Sequence, residues 1–161
     1  KFGNVSQEGI YLDETVMRMC YTHRRLLSQL AMNLVNEGKN DKAAKILALA
    51  EKEIPTYNVP ADFASGSLDM VSSYTAIGQT SKAKKLLDEL WQKSSQYMRW
   101  YCSLSAIRFA GSQRECQMHL YILQLLADMA ADIDEQTGDK YEKDLEAIFS
   151  QFKGKGGNLG I

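Results

Sequence analysis

The chain has 161 residues, of which 45% are hydrophobic, with 19 basic and 20 acidic side chains. This length and composition suit one globular domain with a buried core and exclude a disordered chain. The near-neutral charge argues against a nucleic-acid partner, because phosphate recognition needs an excess of Lys and Arg. No run of about 18 apolar residues is present, so we expect no direct membrane insertion by this chain.

The first predicted helix follows residues 1–12, which have no apolar period and should form an extended lead-in. Asp13 can cap this helix, and alternating spacings of three and four extend it to about Glu37. Gly38 should end it as a left-handed residue. The predicted buried stripe consists of Val16, Cys20, His23, Leu27, Leu30 and Leu34.

The second helix follows after a connection of about three residues, which makes it an antiparallel neighbour of the first. Asn40 or Asp41 should cap it. Pro55 should stop it at Ile54, because proline disfavours the helical state of the residue before it. Residues 56–66 then form the one long loop, and its apolar side chains should pack partly against the helices.

A third helix is expected to begin near residue 67 and to end at Gly78. Ser81 should cap a fourth, whose apolar stripe continues with no glycine or proline before residue 111. We therefore predict a single helix from about Ser81 to at least Ser103. A break near residues 94–95 is the alternative.

Two further helices are expected in the last third of the chain. Ser112 and Glu115 have the spacing of a capping box at the start of a strongly apolar helix, which should be the most buried one. Gly138 is expected to end the linker that follows, and a last helix should cover residues 139–153. The glycine-rich residues 154–161 are expected to form a mobile tail.

Two stretches, EGKNDKAAKIL and IGQTSKAKKLL, share a pattern whose glycines, Gly38 and Gly78, lie 40 residues apart. In both, the glycine is followed by four residues, an alanine, three residues and a leucine. Self-similarity at such a period indicates a helical repeat array. The pattern resembles the tetratricopeptide repeat (TPR), in which Ala43 and Ala83 would lie where the two helices of a hairpin come closest.

The TPR resemblance implies an all-α fold, a short right-handed stack of about three antiparallel helical hairpins. The helical domain would cover residues 13–153. Its repeats would lie at about residues 24–57 and 64–97, and residues 112–153 would form a divergent capping hairpin. The motif is specific for architecture and says little about function.

A second resemblance depends on YLDETVMRMCYTHRR at residues 11–25, IPTYNVPADF at 54–63 and ECQMHLYILQ at 115–124. These segments are similar to the soluble C-terminal region of a bacterial membrane-protein family. The multi-pass N-terminal part of that family resembles lipid-linked-sugar glycosyltransferases, including protein O-mannosyltransferases. The resemblance implies a membrane-anchored parent with this domain in the periplasm, and the start at Lys1 rather than Met fits such an excision. The presumed catalytic residues belong to the membrane part, so none is assigned here.

Two Cys-x-x-His pairs, Cys20 with His23 and Cys116 with His119, lie on predicted helices. Residues three apart share a helical face, so two such pairs could supply four zinc ligands. Core packing is the favoured explanation, because free cysteine is among the most buried residue types. A disulfide between Cys20 and Cys116 is the remaining alternative. We expect no cofactor.

No motif for catalysis is present: the chain has two histidines and no Gly-x-Ser-x-Gly elbow. The sequence therefore favours a non-catalytic module that binds a protein or peptide partner, possibly the parent's own membrane region. A free-standing TPR adaptor that binds a partner helix or peptide is the alternative. The predicted contact residues are Tyr57, Asn58, Asp62, Phe63, Arg25 and Trp100.

The basic side chains of the first predicted helix, of the turn after it and of the start of the second are expected to be solvated rather than to form a binding patch. They are Arg18, Arg24, Arg25, Lys39, Lys42 and Lys45. The aromatic set of Tyr97, Trp100 and Tyr101 with Arg99 could stack on a sugar or a peptide. Packing of one side of the helix is the simpler explanation for these aromatic residues.

Overall fold

The computed structural model describes residues 3–158, and in that range it is all-helical, with no strand. The predicted all-α class is therefore confirmed. The α-helices are α1 (Glu14–Asn36), α2 (Asn40–Glu53), α3 (Ser67–Ala76), α4 (Thr80–Ser103), α5 (Ala106–Ala110), α6 (Gln113–Ile133) and α7 (Glu135–Gly154). Within residues 3–158, no helix is both long and apolar enough to cross a membrane. Residues 1–2 of the predicted lead-in and 159–161 of the predicted tail lie outside the described residues.

The chain divides into two compact units between Leu86 and Leu87, a position inside α4. α4 is one continuous helix, which confirms the predicted continuity through residues 94–95. It begins at Thr80, so Ser81 lies within the helix and the prediction that Ser81 is its cap is wrong.

The first unit contains two helix-ending turns of the same geometry. Gly38 and Gly78 have φ of 72° and 77°, the left-handed region that the sequence predicted at Gly38. In each turn the glycine N–H and the next N–H donate to carbonyls of the preceding helix. These bonds are 2.8–3.0 Å long and join Gly38 to Val35, Lys39 to Leu34, Gly78 to Thr75 and Gln79 to Tyr74.

Helix α1 packs against α2 and α3, but through a different face from the one predicted. Its buried residues are Cys20, Arg24, Ser28 and Ala31. Of the predicted stripe, His23 and Leu30 are exposed. Cys20 of the predicted stripe is buried, but the rest of the buried face includes Arg24, which was expected to be solvated, and Ser28, which was not part of the predicted stripe.

The ends of the first two helices agree only partly with the prediction. Asp13 caps α1 as expected, since its Oδ1 accepts a hydrogen bond of 2.8 Å from the Val16 N–H. Neither Asn40 nor Asp41 caps α2; Lys39 occupies that position, and its side chain makes no capping hydrogen bond. The helix ends at Glu53, before Pro55, as predicted.

The lead-in folds back on the first unit rather than remaining extended. Residues 3–9 form turns, and Val5 is buried in a small apolar cluster with Cys20, Ile54 and Val59. Leu12, Val16, Met17 and Tyr21 pack against this cluster. The N-terminal segment thus completes the core beside the start of α1.

The second unit is built on the pair α6 and α7 and the second half of α4. The Trp91 ring stacks on Tyr141 with centroids 3.9 Å apart and an interplanar angle of 13°. The Tyr141 hydroxyl donates to Asp88. Asp144 accepts from Trp91 Nε1 at 3.1 Å and from Arg99 at 2.6 Å. These bonds tie α4 to α7 within this unit.

The second unit differs from the prediction at three places. The short helix α5 was not predicted. Ser112 occupies the N-cap position of α6 as predicted, but its side chain makes no capping hydrogen bond, and its Oγ donates instead to the Arg108 carbonyl at 2.9 Å. Gly138 does not end a linker but lies inside α7, where a Cβ would be 2.8 Å from the Cα of Ala131. It is needed for the close approach of α6 and α7.

The described part of the predicted tail makes defined contacts. A Cβ on Gly157 would lie 2.6 Å from the Phe152 ring. The Asn158 N–H donates to Gln113 Oε1 at 3.1 Å, and Gln117 Nε2 donates to the Asn158 carbonyl at 2.7 Å. The end of this segment therefore lies on Phe152 of α7 and contacts the start of α6 through Asn158.

Candidate functional site

The loop after α2 is held by a buried guanidinium. Arg24, expected to be solvated, is only 1% exposed. Its two terminal nitrogens donate to the loop: Nη2 to the carbonyls of Ile54 at 2.9 Å and Val59 at 2.5 Å, and Nη1 to the carbonyl of Pro60 at 3.1 Å. A guanidinium can satisfy several carbonyls at once because its donors are fixed in a plane. Arg24 therefore sets the path of the chain from Ile54 to Pro60.

The second half of the loop is fixed by serines and one glycine. Ser65 Oγ lies 2.8 Å from Ser67 Oγ, and Ser28 Oγ donates to the Arg24 carbonyl at 2.6 Å. Gly66 has φ of 79°, and a Cβ there would be 2.6 Å from the Cα of Arg25. The loop backbone thus lies directly on α1, and a larger residue at position 66 would push it away.

Two predicted contact residues, Tyr57 and Asn58, hold the N-terminal segment. The Tyr57 hydroxyl donates to the Ser6 carbonyl at 2.7 Å. Asn58 Nδ2 donates to the carbonyls of Val5 and Gln7, both at 2.7 Å. The Tyr57 side chain is nevertheless 59% exposed, so its ring face remains accessible.

The other predicted residues of this region have separate positions. Asp62 Oδ1 accepts from the Ala64 N–H at 2.9 Å and caps the short 3₁₀ turn Phe63–Ser65. Phe63 and Arg25 are exposed, Phe63 on that turn and Arg25 on α1. The structure thus places five of the six predicted contact residues in the first unit.

A surface that the sequence did not single out runs along α1, and we name it the α1 stripe. It consists of Met19, His23, Leu26 and Leu30, all exposed and spaced by four, three and four residues. Met19 and Leu26 are each 56% exposed, and Leu30 is 44% exposed. That spacing puts the four side chains on one helical face. The spacing was visible in the sequence, but which face was buried was not.

The sixth predicted residue, Trp100, belongs to an aromatic group in the second unit. Trp100 is 54% exposed, and its ring centroid lies 4.9 Å from that of Tyr101. Tyr97 stacks on His119, with centroids 4.9 Å apart and an interplanar angle of 17°. Part of the aromatic set therefore packs between α4 and α6, and Trp100 extends outward at its edge.

The cysteines and histidines considered as zinc ligands do not form a metal site. Over residues 3–158, no group of three or more His, Cys, Asp or Glu side chains is placed to hold a metal ion. Cys20, Cys102 and Cys116 are free and buried, so the alternative disulfide is not formed. Burial is the largest cause that raises the pKa of all three thiols. Raised pKa values do not suit nucleophilic thiols.

Comparison with protein-family models finds no match for this chain, and comparisons with curated proteins and with solved structures find none either. Inferences about function must therefore come from the surfaces described above. These are the α1 stripe with the adjoining loop in the first unit, and the aromatic group with Trp100 in the second.

Proposed function

We propose that the chain is a non-catalytic interaction module that holds a protein or peptide partner. The observation that carries the proposal is the α1 stripe. A soluble helix normally turns its apolar residues toward the core, whereas Met19, Leu26 and Leu30 are all exposed. The buried face includes Arg24, whose guanidinium holds the adjoining loop, and Ser28, whose hydroxyl donates to the Arg24 carbonyl. This helix thus buries two polar side chains beside Cys20 and Ala31 and exposes three large apolar ones.

The TPR-like right-handed stack is part of the same proposal. It is supported by the matching turns at Gly38 and Gly78, which have the same φ sign and the same pair of hydrogen bonds. Ala43 and Ala83, the small residues of the repeat, are both fully buried. In a TPR-like array the first helix of a hairpin offers the binding face, and α1 is that helix here.

The proposed setting is the periplasmic C-terminal domain of a membrane-bound, glycosyltransferase-like bacterial protein. The support for it is the similarity of residues 11–25, 54–63 and 115–124 to that family. In this setting the partner is a protein substrate or the membrane region of the parent. Two of the three segments include residues of the loop and of α1, and the segment 11–25 contains Met19 and His23 of the α1 stripe.

The test is a glycosylation assay in cells that express the full-length parent. The variant Leu26→Glu/Leu30→Glu places two charges on the α1 stripe. Gln29→Glu/Asn33→Glu is the matched control, because it adds the same charges at exposed positions of the same helix beside the stripe. We expect the stripe variant to lose most glycosylation and the control to keep it. Full glycosylation by a parent that lacks residues 13–153 would refute the proposal.

A free-standing adaptor is the second candidate. The observation that favours it is that exposed apolar side chains occur in both units, at Leu26 in the first and at Trp100 in the second. An adaptor needs at least two contact surfaces. Reading the upstream reading frame decides between the candidates: several apolar stretches of about 20 residues indicate the membrane parent, and their absence indicates the adaptor.

A further inference from the structure

Helices α6 and α7 form an open groove in the second unit. Its volume is about 520 Å³. The lining residues are Gln117, Leu120, Tyr121 and Gln124 of α6 and Glu142, Leu145, Glu146 and Phe149 of α7. On each helix the four positions follow the spacing i, i+3, i+4 and i+7, which is one face over two turns. The groove is therefore about 10 Å long.

The groove has an apolar floor and an acidic rim. Leu120, Leu145 and Phe149 supply the floor, and the Tyr121 ring, 71% exposed, stands at its edge. The charged lining residues are Glu142 and Glu146, both exposed, and no lining residue is basic. The floor would favour apolar side chains in the groove, and the rim would favour positive charge beside them.

The charge is unequal along the groove. α6 and α7 are antiparallel, because they are joined through the single residue Asp134 and Gly138 lies against Ala131. Glu142 is therefore near the α6–α7 turn, and Asp128, which accepts from Gln124 at 3.1 Å, adds a further carboxylate there. At the other end the Lys153 ammonium lies 5.4 Å from the centre of the Phe149 ring.

We propose that this groove binds a short amphipathic helix of a partner protein, with apolar anchors at i, i+3, i+4 and i+7 and Lys or Arg on its flanks. The two helices line the groove side by side, each with residues at i, i+3, i+4 and i+7, and this arrangement matches the helix-in-groove mode of recognition. The basic flanks would lie beside Glu142 and Glu146, with most of the positive charge toward the α6–α7 turn. A helix of two to three turns fits the length of the groove. An interface this small is below the size expected of a stable dimer, which argues against a second copy of the chain as occupant.

This inference is independent of the α1 stripe, since the groove belongs entirely to the other unit. It would stand if the glycosylation assay failed, and its failure would leave the stripe untouched. The experiment therefore uses binding to the 161-residue chain and no cellular readout.

The probe is a fluorescent, helix-stapled peptide with Leu at the four anchor positions and Lys on both flanks. A second peptide has the same anchors with Glu in place of every Lys. Fluorescence anisotropy measures both affinities. We expect the Lys peptide to bind at least about tenfold more tightly, because each exposed charge pair contributes modestly and attraction becomes repulsion in the second peptide.

Variants of the chain locate the site. Glu142→Lys/Glu146→Lys should weaken the Lys peptide about tenfold and strengthen the Glu peptide. The control Asp132→Lys/Glu8→Lys makes the same change in net charge at exposed positions that do not line the groove, and it should leave both affinities within about twofold. Tyr121→Ser should weaken both peptides, since it removes apolar area and no charge.

Three outcomes would overturn the proposal. The first is equal binding, or no binding, of the two peptides. The second is a groove variant that behaves like the control. The third is self-association of the chain in sedimentation velocity that Tyr121→Ser abolishes, which would make a second copy the occupant. Circular dichroism of every variant checks that it is folded, and all the substituted side chains are exposed.

Discussion

Arg24 determines the position of a loop that contains four of the predicted contact residues. Its guanidinium donates to three loop carbonyls, and the Ser65 hydroxyl lies 3.4 Å from Nη1. A buried charge is tolerated only where enough hydrogen bonds replace its hydration. The same residue also lowers the pKa of the Cys20 thiol, which acts against the larger effect of burial.

We expect Arg24→Ala to reduce the free energy of unfolding by about 3 kcal/mol or more, because it leaves buried carbonyls without donors and opens a cavity. Arg24→Lys should cost less but still lose stability, since an ammonium cannot reach the same fork of acceptors. Urea titration followed by circular dichroism measures both changes.

Arg25→Ala is the control for this prediction. Arg25 follows Arg24 directly but is exposed, so its replacement should change stability by no more than about 0.5 kcal/mol. Equal losses for the two alanine variants would mean that the charge of α1, and not the loop hydrogen bonds, is responsible.

The buried thiol of Cys116 should make both its own reactivity and the stability of the folded chain depend on pH. Burial, with smaller contributions from Cys102 and Glu115, raises the pKa of this thiol from 9.0 to about 11. The folded chain therefore keeps the thiol proton to higher pH than the unfolded chain does. The stability that this provides is present below about pH 9 and is lost as the pH rises toward 11.

Alkylation of Cys116 by iodoacetamide, followed by mass spectrometry, should accordingly be slow in the native chain at pH 8. The alkylation rate of the native chain should rise with pH until about pH 11, whereas the rate in urea should level off at about pH 9. The Cys116→Ala variant should lose less stability than the wild type over this pH range. Native labelling at pH 8 as fast as in urea would contradict the raised pKa.

At the scale of the elements, glycines at three turns have different roles. Gly38 and Gly78 have positive φ, but nothing lies within 4 Å of an added Cβ. Their replacement by alanine should cost only the backbone strain, about 1–2 kcal/mol. Gly66→Ala should cost more, at least about 3 kcal/mol, because the Cβ also meets the backbone of α1 at Arg25. Thermal or urea unfolding of the three variants gives this order.

Gly154→Ala serves as the reference for the glycine series. Gly154 lies at the end of α7 with open space around it and without a positive φ. Alanine there should be neutral or stabilising by up to about 1 kcal/mol, as helix propensity dictates. If Gly66→Ala cost no more than Gly38→Ala, the loop would be free to move off α1.

The sequence predicted elements well where local chemistry decides them. The Asp13 cap, the Gly38 and Gly78 turns, the stop at Pro55 and the continuity of α4 all depend on local preferences of single residues.

The prediction from sequence failed where tertiary contacts decide the structure. The buried face of α1 was misplaced because Arg24 is buried by loop carbonyls 30 or more residues away. Gly138 was read as a breaker although a helix passing close to Ala131 requires it. A hairpin over residues 112–153 was predicted, but the groove depends on which faces of α6 and α7 pack together, and that is decided by tertiary contacts.

At the scale of the whole molecule, the two units each have a buried core of their own. The first contains Ala43, Leu47 and Tyr74, and the second contains Leu123, Ile148 and Phe152. Both tryptophans of the chain, Trp91 and Trp100, belong to the second unit. Tryptophan fluorescence therefore reports on the second unit, whereas far-ultraviolet circular dichroism reports on the helices of both.

This difference allows the cooperativity of the molecule to be measured. If each core stabilises its own unit, Arg24→Ala should lower the urea midpoint seen by circular dichroism and leave the tryptophan midpoint nearly unchanged. Tyr141→Ala, which removes the ring stacked on Trp91, should do the reverse and lower the tryptophan midpoint most. Equal shifts of both probes in both variants would instead show that the continuous helix α4 makes the chain unfold as one unit. In that case a partner bound to either unit would stabilise the other, and the α1 stripe and the α6–α7 groove would be coupled through folding.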